Sequence, residues 1–189
     1  MKSLYIILFF LIFNSASAQH DNIEKEAAKT ESYSPVSVKV STEKPFLDAP
    51  SDAIILFDGK NLNQWEGRNR NKPEWFINDG ILTVNKKAGD IITKEKFTDY
   101  QLHLEFMIPK DITGDGQARG NSGIFLAYLG NEYDGYELQI QDSYENKTYV
   151  NGQNSAICKQ KEPLKNASKK PGEWQSYDPV WTAPRFDKN

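Results

Sequence analysis

"QLHLEFMI" (residues 101–108) alternates without a slip. Leu102, Leu104, Phe106 and Ile108 fall on one face, and Gln101, His103, Glu105 and Met107 on the other. Side chains along a strand point to opposite faces with a period of two, so this stretch is a strand with one apolar side. Pro109, which cannot donate to a ladder, ends it. The same period recurs in "GYELQIQD" (135–142): Leu138 and Ile140 oppose Glu137, Gln139 and Gln141, and Asp142 closes the run. Outward from these two, "AIILF" (53–57) is a short apolar run stopped by Asp58-Gly59. "EWFINDGILTV" (74–84) is two runs around Asn78-Asp79-Gly80, the strongest hairpin signal in the chain. "GIFLAYL" (123–129) and "EWQSYDPVW" (173–181) supply further strands. Many short strands separated by turn signals predict an all-β sandwich of antiparallel strands. Leu102, Leu104, Phe106, Leu138 and Ile140 should face its core. The one weak helix candidate beyond the N-terminal leader lies near Lys165–Lys169.

The chain begins with a different pattern. "MKSLYIILFFLIFNSASA" (1–18) has a basic start at Lys2, an apolar run from Leu4 to Phe13, and small residues at Ala16 and Ala18. That is the layout of a secretory signal peptide cleaved before Gln19. The apolar run is too short to span a bilayer, which takes about 20 residues. No cysteine follows it to carry a lipid. The expectation is a secreted or periplasmic protein with no membrane anchor. Residues 19–50 are charged and contain Ser, Thr and Pro, with too few large apolar side chains to offset the entropy of ordering. They read as a flexible arm or linker, although "VSVKV" (36–40) could pair as a short edge strand. Residues 51–189 then form the domain.

Composition narrows the function. Losing Lys2 takes the 23 basic residues to 22 against 26 acidic ones, a net charge of −4. With no basic cluster, nucleic acid and anionic membranes are poor partners. A single cysteine, Cys158, excludes an intrachain disulfide framework, so an exported chain must rely on its core. Ten Phe, nine Tyr and four Trp make such a core credible.

The polar strand faces carry the candidate chemistry. His103 and Glu105 share one side of the first strand; Glu137 and Gln139 share one side of the second. If the two strands lie in one sheet, carboxylates, an imidazole and amides line a common surface able to bind sugar hydroxyls and to act as acid and base. The alternative is an ordinary solvated face, which is the commoner origin of such alternation. "ARGNSGIF" (118–125) sets Arg119, Asn121 and Ser122 between glycines, either to hold a substrate oxygen or simply to make a tight turn. "DITGDG" (111–116) resembles the start of a calcium loop, but its twelfth position is Ser122 rather than Glu, so it reads as a mobile loop. Cys158 reads as a packed residue rather than a nucleophile. "NKT" at 146 and "NAS" at 166 are glycosylation sequons.

Six segments taken together resemble the 3-keto-disaccharide hydrolase family. They are "LFDGKNLNQWEG" (56–67), "WFINDGILTV" (75–84), "FTDYQLHLEFMIP" (97–109), "GNSGIFL" (120–126), "YELQIQDSY" (136–144) and "KKPGEWQSYD…TAPRFD" (169–187). The resemblance implies a concanavalin A-like jelly-roll β-sandwich and cleavage of glycosides already oxidised to a ketone at C3. It carries over Glu105, Asn121, Ser122, Glu137, Gln139 and Asp142. Members continue beyond "APRFD" with further strands, so the sandwich is expected to be incomplete, the N-terminal part of a longer product or a truncated copy. Pro179 replaces a usual β-branched residue and should sit at an edge or bulge.

A ketone at C3 acidifies the C2 proton. A base can remove it while the glycosidic oxygen leaves C1, and water can then add. His103, Glu105 and Glu137 are the candidate acids and bases. Arg119, or a divalent cation held by carboxylates, would stabilise the enolate. Asn121, Gln139 and Asp142 would bind an oligosaccharide or glycoside substrate. The competing readings are a lectin-like carbohydrate-binding module without catalysis, and an inactive fragment.

Overall fold

The computed structural model describes residues 25–36, 38–39, 49–128, 130 and 135–186. The signal-peptide stretch 1–18 lies outside the described residues, as do 19–24, 37 and 40–48 of the arm. Among the described residues the chain is nearly all strand and turn, and five of its six two-stranded ladders are antiparallel. This is the all-β antiparallel class that the alternation predicts. The chain divides into two compact units, one holding 103–179 with the arm, the other 49–102 with 180–186.

In the first unit, β7 (Leu104–Met107) pairs with β11 (Trp174–Tyr177), and β8 (Ser122–Phe125) pairs with β9 (Glu137–Ile140). The other edge of β9 is bonded too: Gln139 N donates to the Ala156 carbonyl and Cys158 N to the Glu137 carbonyl, each at 2.9 Å. The apolar sides of these strands make the core. Phe106, Ile108, Ile140 and Tyr177 are buried, with Leu104, Ile112, Ile124 and Leu138 packed against them. The Phe106 and Tyr177 rings lie 4.7 Å apart. Four of the five expected core residues are therefore in it; Leu102 belongs to the second unit, half-buried.

The arm is partly docked. β1 (Val38–Lys39) pairs in parallel with β10 (Lys165–Asn166), so the segment expected as a weak helix near Lys165 is instead a strand that takes an edge partner. Upstream, Val150 N donates to the Ser32 carbonyl, the Tyr33 and Tyr149 rings meet edge to face at 6.2 Å, and Lys159 Nζ stands 3.4 Å from Glu31. Too apolar-poor to form a core of its own, the segment is ordered by backbone bonds and one ring instead.

In the second unit, β2 (Trp65–Gly67) pairs with β5 (Ile91–Thr93), and β6 (Tyr100–Gln101) with β12 (Val180–Trp181). β3 (Phe76–Asn78) and β4 (Ile81–Thr83) form the expected hairpin. Asp79 (φ 49°) and Gly80 (φ 78°) both take the left-handed conformation that a two-residue turn of this hand needs. "AIILF" is not a strand. Ile54 and Ile55 are exposed, and the Leu56 carbonyl accepts the Trp65 indole N–H at 2.7 Å. Local apolarity without a ladder partner does not make a strand.

Candidate functional site

β7 and β11 place the first group of candidates. Their register sets Leu104 opposite Tyr177 and Glu105 opposite Ser176. One step further out, His103 and Asp178 face each other, and Pro179, having no N–H, interrupts the pairing, which resumes with Val180 opposite Gln101. The two side chains bond directly: His103 Nδ1 is 2.6 Å from Asp178 Oδ1. His103 Nε2 stands 3.6 Å from Glu105 Oε1, an electrostatic pairing too long for a hydrogen bond. The Asp178 hydrogen bond is the main reason the imidazole is held above its ordinary range. The charges of Asp178 and Glu105 add to it and partial burial opposes it. The result is an accessible imidazole between two carboxylates. The sequence had His103 and Glu105 but missed Asp178; only the pairing of β7 with β11 brings it there.

The loop 115–122 and β9 place a second group. Gln139, Gln141 and Asp142 are almost wholly buried, among the largest fully buried side chains of the described residues. Gln141 Nε2 donates to the carbonyls of Gly116 (2.9 Å) and Arg119 (2.8 Å). Asn146 Nδ2 donates to the carbonyls of Gly116 (2.9 Å) and Asp142 (2.7 Å), and its Oδ1 accepts from Gly116 N at 2.8 Å. Gln139 Nε2 donates to Asn121 Oδ1 at 2.9 Å. Arg119 Nε stands 2.7 Å from Asp142 Oδ2 as an ion pair, without the alignment of a hydrogen bond, while its Nη2 donates to the Tyr144 carbonyl at 2.9 Å.

These bonds explain the polar side of "GYELQIQD". Its amides and terminal carboxylate are turned inward: Gln141 bonds backbone carbonyls of the "GDGQARGN" loop, Gln139 the Asn121 side chain, and the Asp142 carboxylate pairs with Arg119 and accepts from Tyr144 N at 3.1 Å. Of "DITGDG", expected to be a mobile loop, the last residue, Gly116, is tied, and the residues after it are tied at Arg119 and Asn121. Gln139 and Asp142, expected to hold substrate hydroxyls, are 1 % exposed and bond to Asn121, Arg119 and Tyr144 instead. Asn121 and Arg119 are more open but share the same network. The Asn146 sequon amide is committed here, and that of Asn166 donates to the Ser143 carbonyl at 2.9 Å.

Glu137 stands in a third group. It is half-buried on β9, where its carboxylate accepts from the Cys158 thiol. Burial, then the Glu137 charge, pushes that thiol up to about 12, so Cys158 is not a thiolate nucleophile. Room for Glu137 comes from Gly123 on the facing strand: a Cβ there would lie 2.1 Å from Glu137 Oε1. Among the described residues no three His, Cys, Asp or Glu side chains gather as a site for the divalent cation considered above. Nor, among the described residues, is any helix long and apolar enough to cross a membrane.

The described residues thus form an all-β, mainly antiparallel chain in which His103, Glu105 and Asp178 cluster along one pair of strands. Residues 52–187 match the model of the 3-keto-alpha-glucoside-1,2-lyase-like domain, and the chain belongs to that family. It is also similar to a crystal structure of a candidate glycosyl hydrolase from Parabacteroides distasonis. The two are 50 % identical with a TM-score of 0.70, over 85 % of this chain and 67 % of that one. A second candidate glycosyl hydrolase from the same organism matches at 18 % identity and a TM-score of 0.52, over 68 % of this chain and 64 % of that one; it shows the likeness of fold alone. The chain thus spans about two thirds of the length of these neighbours. No curated protein matches it.

Proposed function

We propose that the protein cleaves 3-keto-glycosides by elimination, outside the cytoplasm. The observation that carries the reading is the imidazole of His103 set between Asp178 and Glu105. Held protonated by Asp178, His103 serves as the acid, and Glu105 as the base. Glu105 takes the C2 proton, which the neighbouring C3 ketone has acidified. The electron pair forms the C1–C2 double bond as the C1–O bond breaks, and His103 Nε2 gives its proton to the departing oxygen. Imidazolium charge beside the site also favours the enolate character that develops in the transition state. Addition of water across the new double bond turns the elimination into net hydrolysis. The 3-keto-glucoside specificity is supported by the family to which residues 52–187 belong. The leader pattern of residues 1–18 supports export to the periplasm or beyond.

The test is to offer a 3-keto-glucoside and the matching unoxidised glucoside to the wild type and to His103→Asn. The expected result is cleavage of the keto-sugar alone, lost in the variant. Equal cleavage of both sugars overturns the elimination route, because without the ketone the C2 proton is not acidic. Binding without cleavage returns the protein to the lectin-like reading.

A further inference from the structure

Residues between 61 and 94 of the second unit line an open cleft of about 590 Å³ that the proposed reaction does not use. Trp65 and Trp75 line it. Their indole N–H groups are already bonded, Trp65 to the Leu56 carbonyl at 2.7 Å and Trp75 to the Gly89 carbonyl at 2.8 Å. Both rings are therefore fixed, and what they offer a ligand is apolar ring surface. Asn61, Asn63 and Asn71 also line it, the Asn61 amide oxygen already accepting from Asn63 N at 2.9 Å. One wall is a built turn. Gly67 N donates to the Asn71 carbonyl at 2.8 Å, and Arg70 takes a left-handed φ of 57°, from which its guanidinium pairs with Glu66 at 2.9 Å.

The charges decide the ligand class. Glu66 and Arg70 neutralise each other, leaving Lys72 and Lys94 as the cations of the lining. Lys94 gives one of its three N–H protons to the Asn63 carbonyl at 2.8 Å and keeps the others for a ligand. A net positive cleft on a chain of net charge −3 selects for an anion small enough to enter, not a polyanion that must track the surface. Fixed aromatic faces suit the C–H face of a pyranose, amides suit its hydroxyls, and two ammonium groups suit a carboxylate.

We infer that this cleft binds an acidic saccharide, one bearing a uronate, as a site separate from the His103 cluster. The assignment does not depend on the proposed reaction.

The test uses the full chain, titrated with trigalacturonate and, as the neutral control, maltotriose, read by tryptophan fluorescence and calorimetry. Trigalacturonate is expected to bind and to perturb the fluorescence, more weakly at high salt, while maltotriose gives no saturable signal. Lys72 is exposed on the rim, so Lys72→Glu should fold normally by circular dichroism. It should weaken trigalacturonate binding roughly tenfold or more, since it sets like charges against each other, while Lys72→Arg retains it. Keto-glucoside cleavage should be the same in both variants. The assignment is overturned if trigalacturonate fails to bind, if maltotriose binds equally well, or if folded Lys72→Glu binds trigalacturonate as tightly as the wild type.

Discussion

Asn151 grips the backbone of Ser32 from the side: its Oδ1 accepts the Ser32 N–H at 2.8 Å, and its Nδ2 donates to the Thr30 carbonyl at 2.9 Å. One side chain thus imitates the donor and acceptor of a neighbouring strand and gives the arm an edge to lie on. Asn151 itself is 5 % exposed, so removing its amide would leave arm groups bonded to nothing or to water. Asn151→Ala should cost about 1–3 kcal/mol, the penalty for stranding buried polar groups. Urea unfolding would measure it, and amide exchange at Ser32 should speed up in the variant. Unchanged exchange at Ser32 would mean that the arm does not depend on Asn151.

His103 and Asp178 give a pH prediction with a definite sign. The folded imidazole titrates above its ordinary value of 6.5, chiefly because of the Asp178 hydrogen bond. The protonated ring therefore stabilises the fold. That contribution is complete below 6.5 and is lost as pH rises through the higher, folded value. Asp178→Asn should bring the imidazole titration back down, as seen by NMR of the ring protons. If His103 is the acid, the alkaline limb of the rate profile should move with it. A titration unmoved by Asp178→Asn would break the assignment.

Glu105 and Glu137 can be separated by one pair of substitutions. Glu105→Gln keeps shape but removes the charge beside His103, and should lower turnover of a 3-keto-glucoside roughly 100-fold, the scale for a general acid–base group. Glu137→Gln should cost less, because that carboxylate is engaged by Cys158 rather than by His103. The reverse order would move the chemistry onto β9.

Gly123 makes space for Glu137. Adding a methyl group there puts a carbon 2.1 Å from Glu137 Oε1 and 2.7 Å from its Cγ. Gly123→Ala should displace the Glu137 side chain and destabilise by about 1–3 kcal/mol, as overpacking does. The same substitution combined with Glu137→Ala should cost much less, a coupling readable in a double-mutant cycle.

Asp142 is a buried carboxylate whose nearest cation is Arg119. Arg119→Met leaves that charge uncompensated and should cost about 3–5 kcal/mol, whereas exchanging both partners for apolar residues should cost much less. Thermal unfolding of the single and double variants would show whether the pair serves the loop, as its burial argues. Equal losses in the two would mean that Asp142 is not the reason Arg119 matters.

The period-two pattern alone determined that strands run through 104–107 and 137–140 and that Leu104, Phe106, Leu138 and Ile140 face the core, because burying one face of a pleated strand leaves a direct trace in sequence. It did not show that the first run breaks at Leu102 and His103, between β6 and β7. The Asp79-Gly80 turn was legible for a similar reason, since few residues tolerate its dihedral angles. Pro179 was expected at an edge or bulge, and the pairing is indeed interrupted beside it before resuming at Val180. What stands at that interruption was not legible. His103 and Asp178 are 75 positions apart, and only the register of β7 on β11 makes them neighbours. Likewise, the polar side of β9 looked the same in sequence whether it faced water, a sugar or protein. Tertiary structure decided that Gln139, Gln141 and Asp142 turn inward, because the loop at Gly116–Asn121 lies against them and offers two carbonyls to Gln141, the Asn121 amide to Gln139 and the Arg119 guanidinium to Asp142. Alternation records that a side chain is polar; what that side chain bonds is fixed by the chain that comes to lie against it.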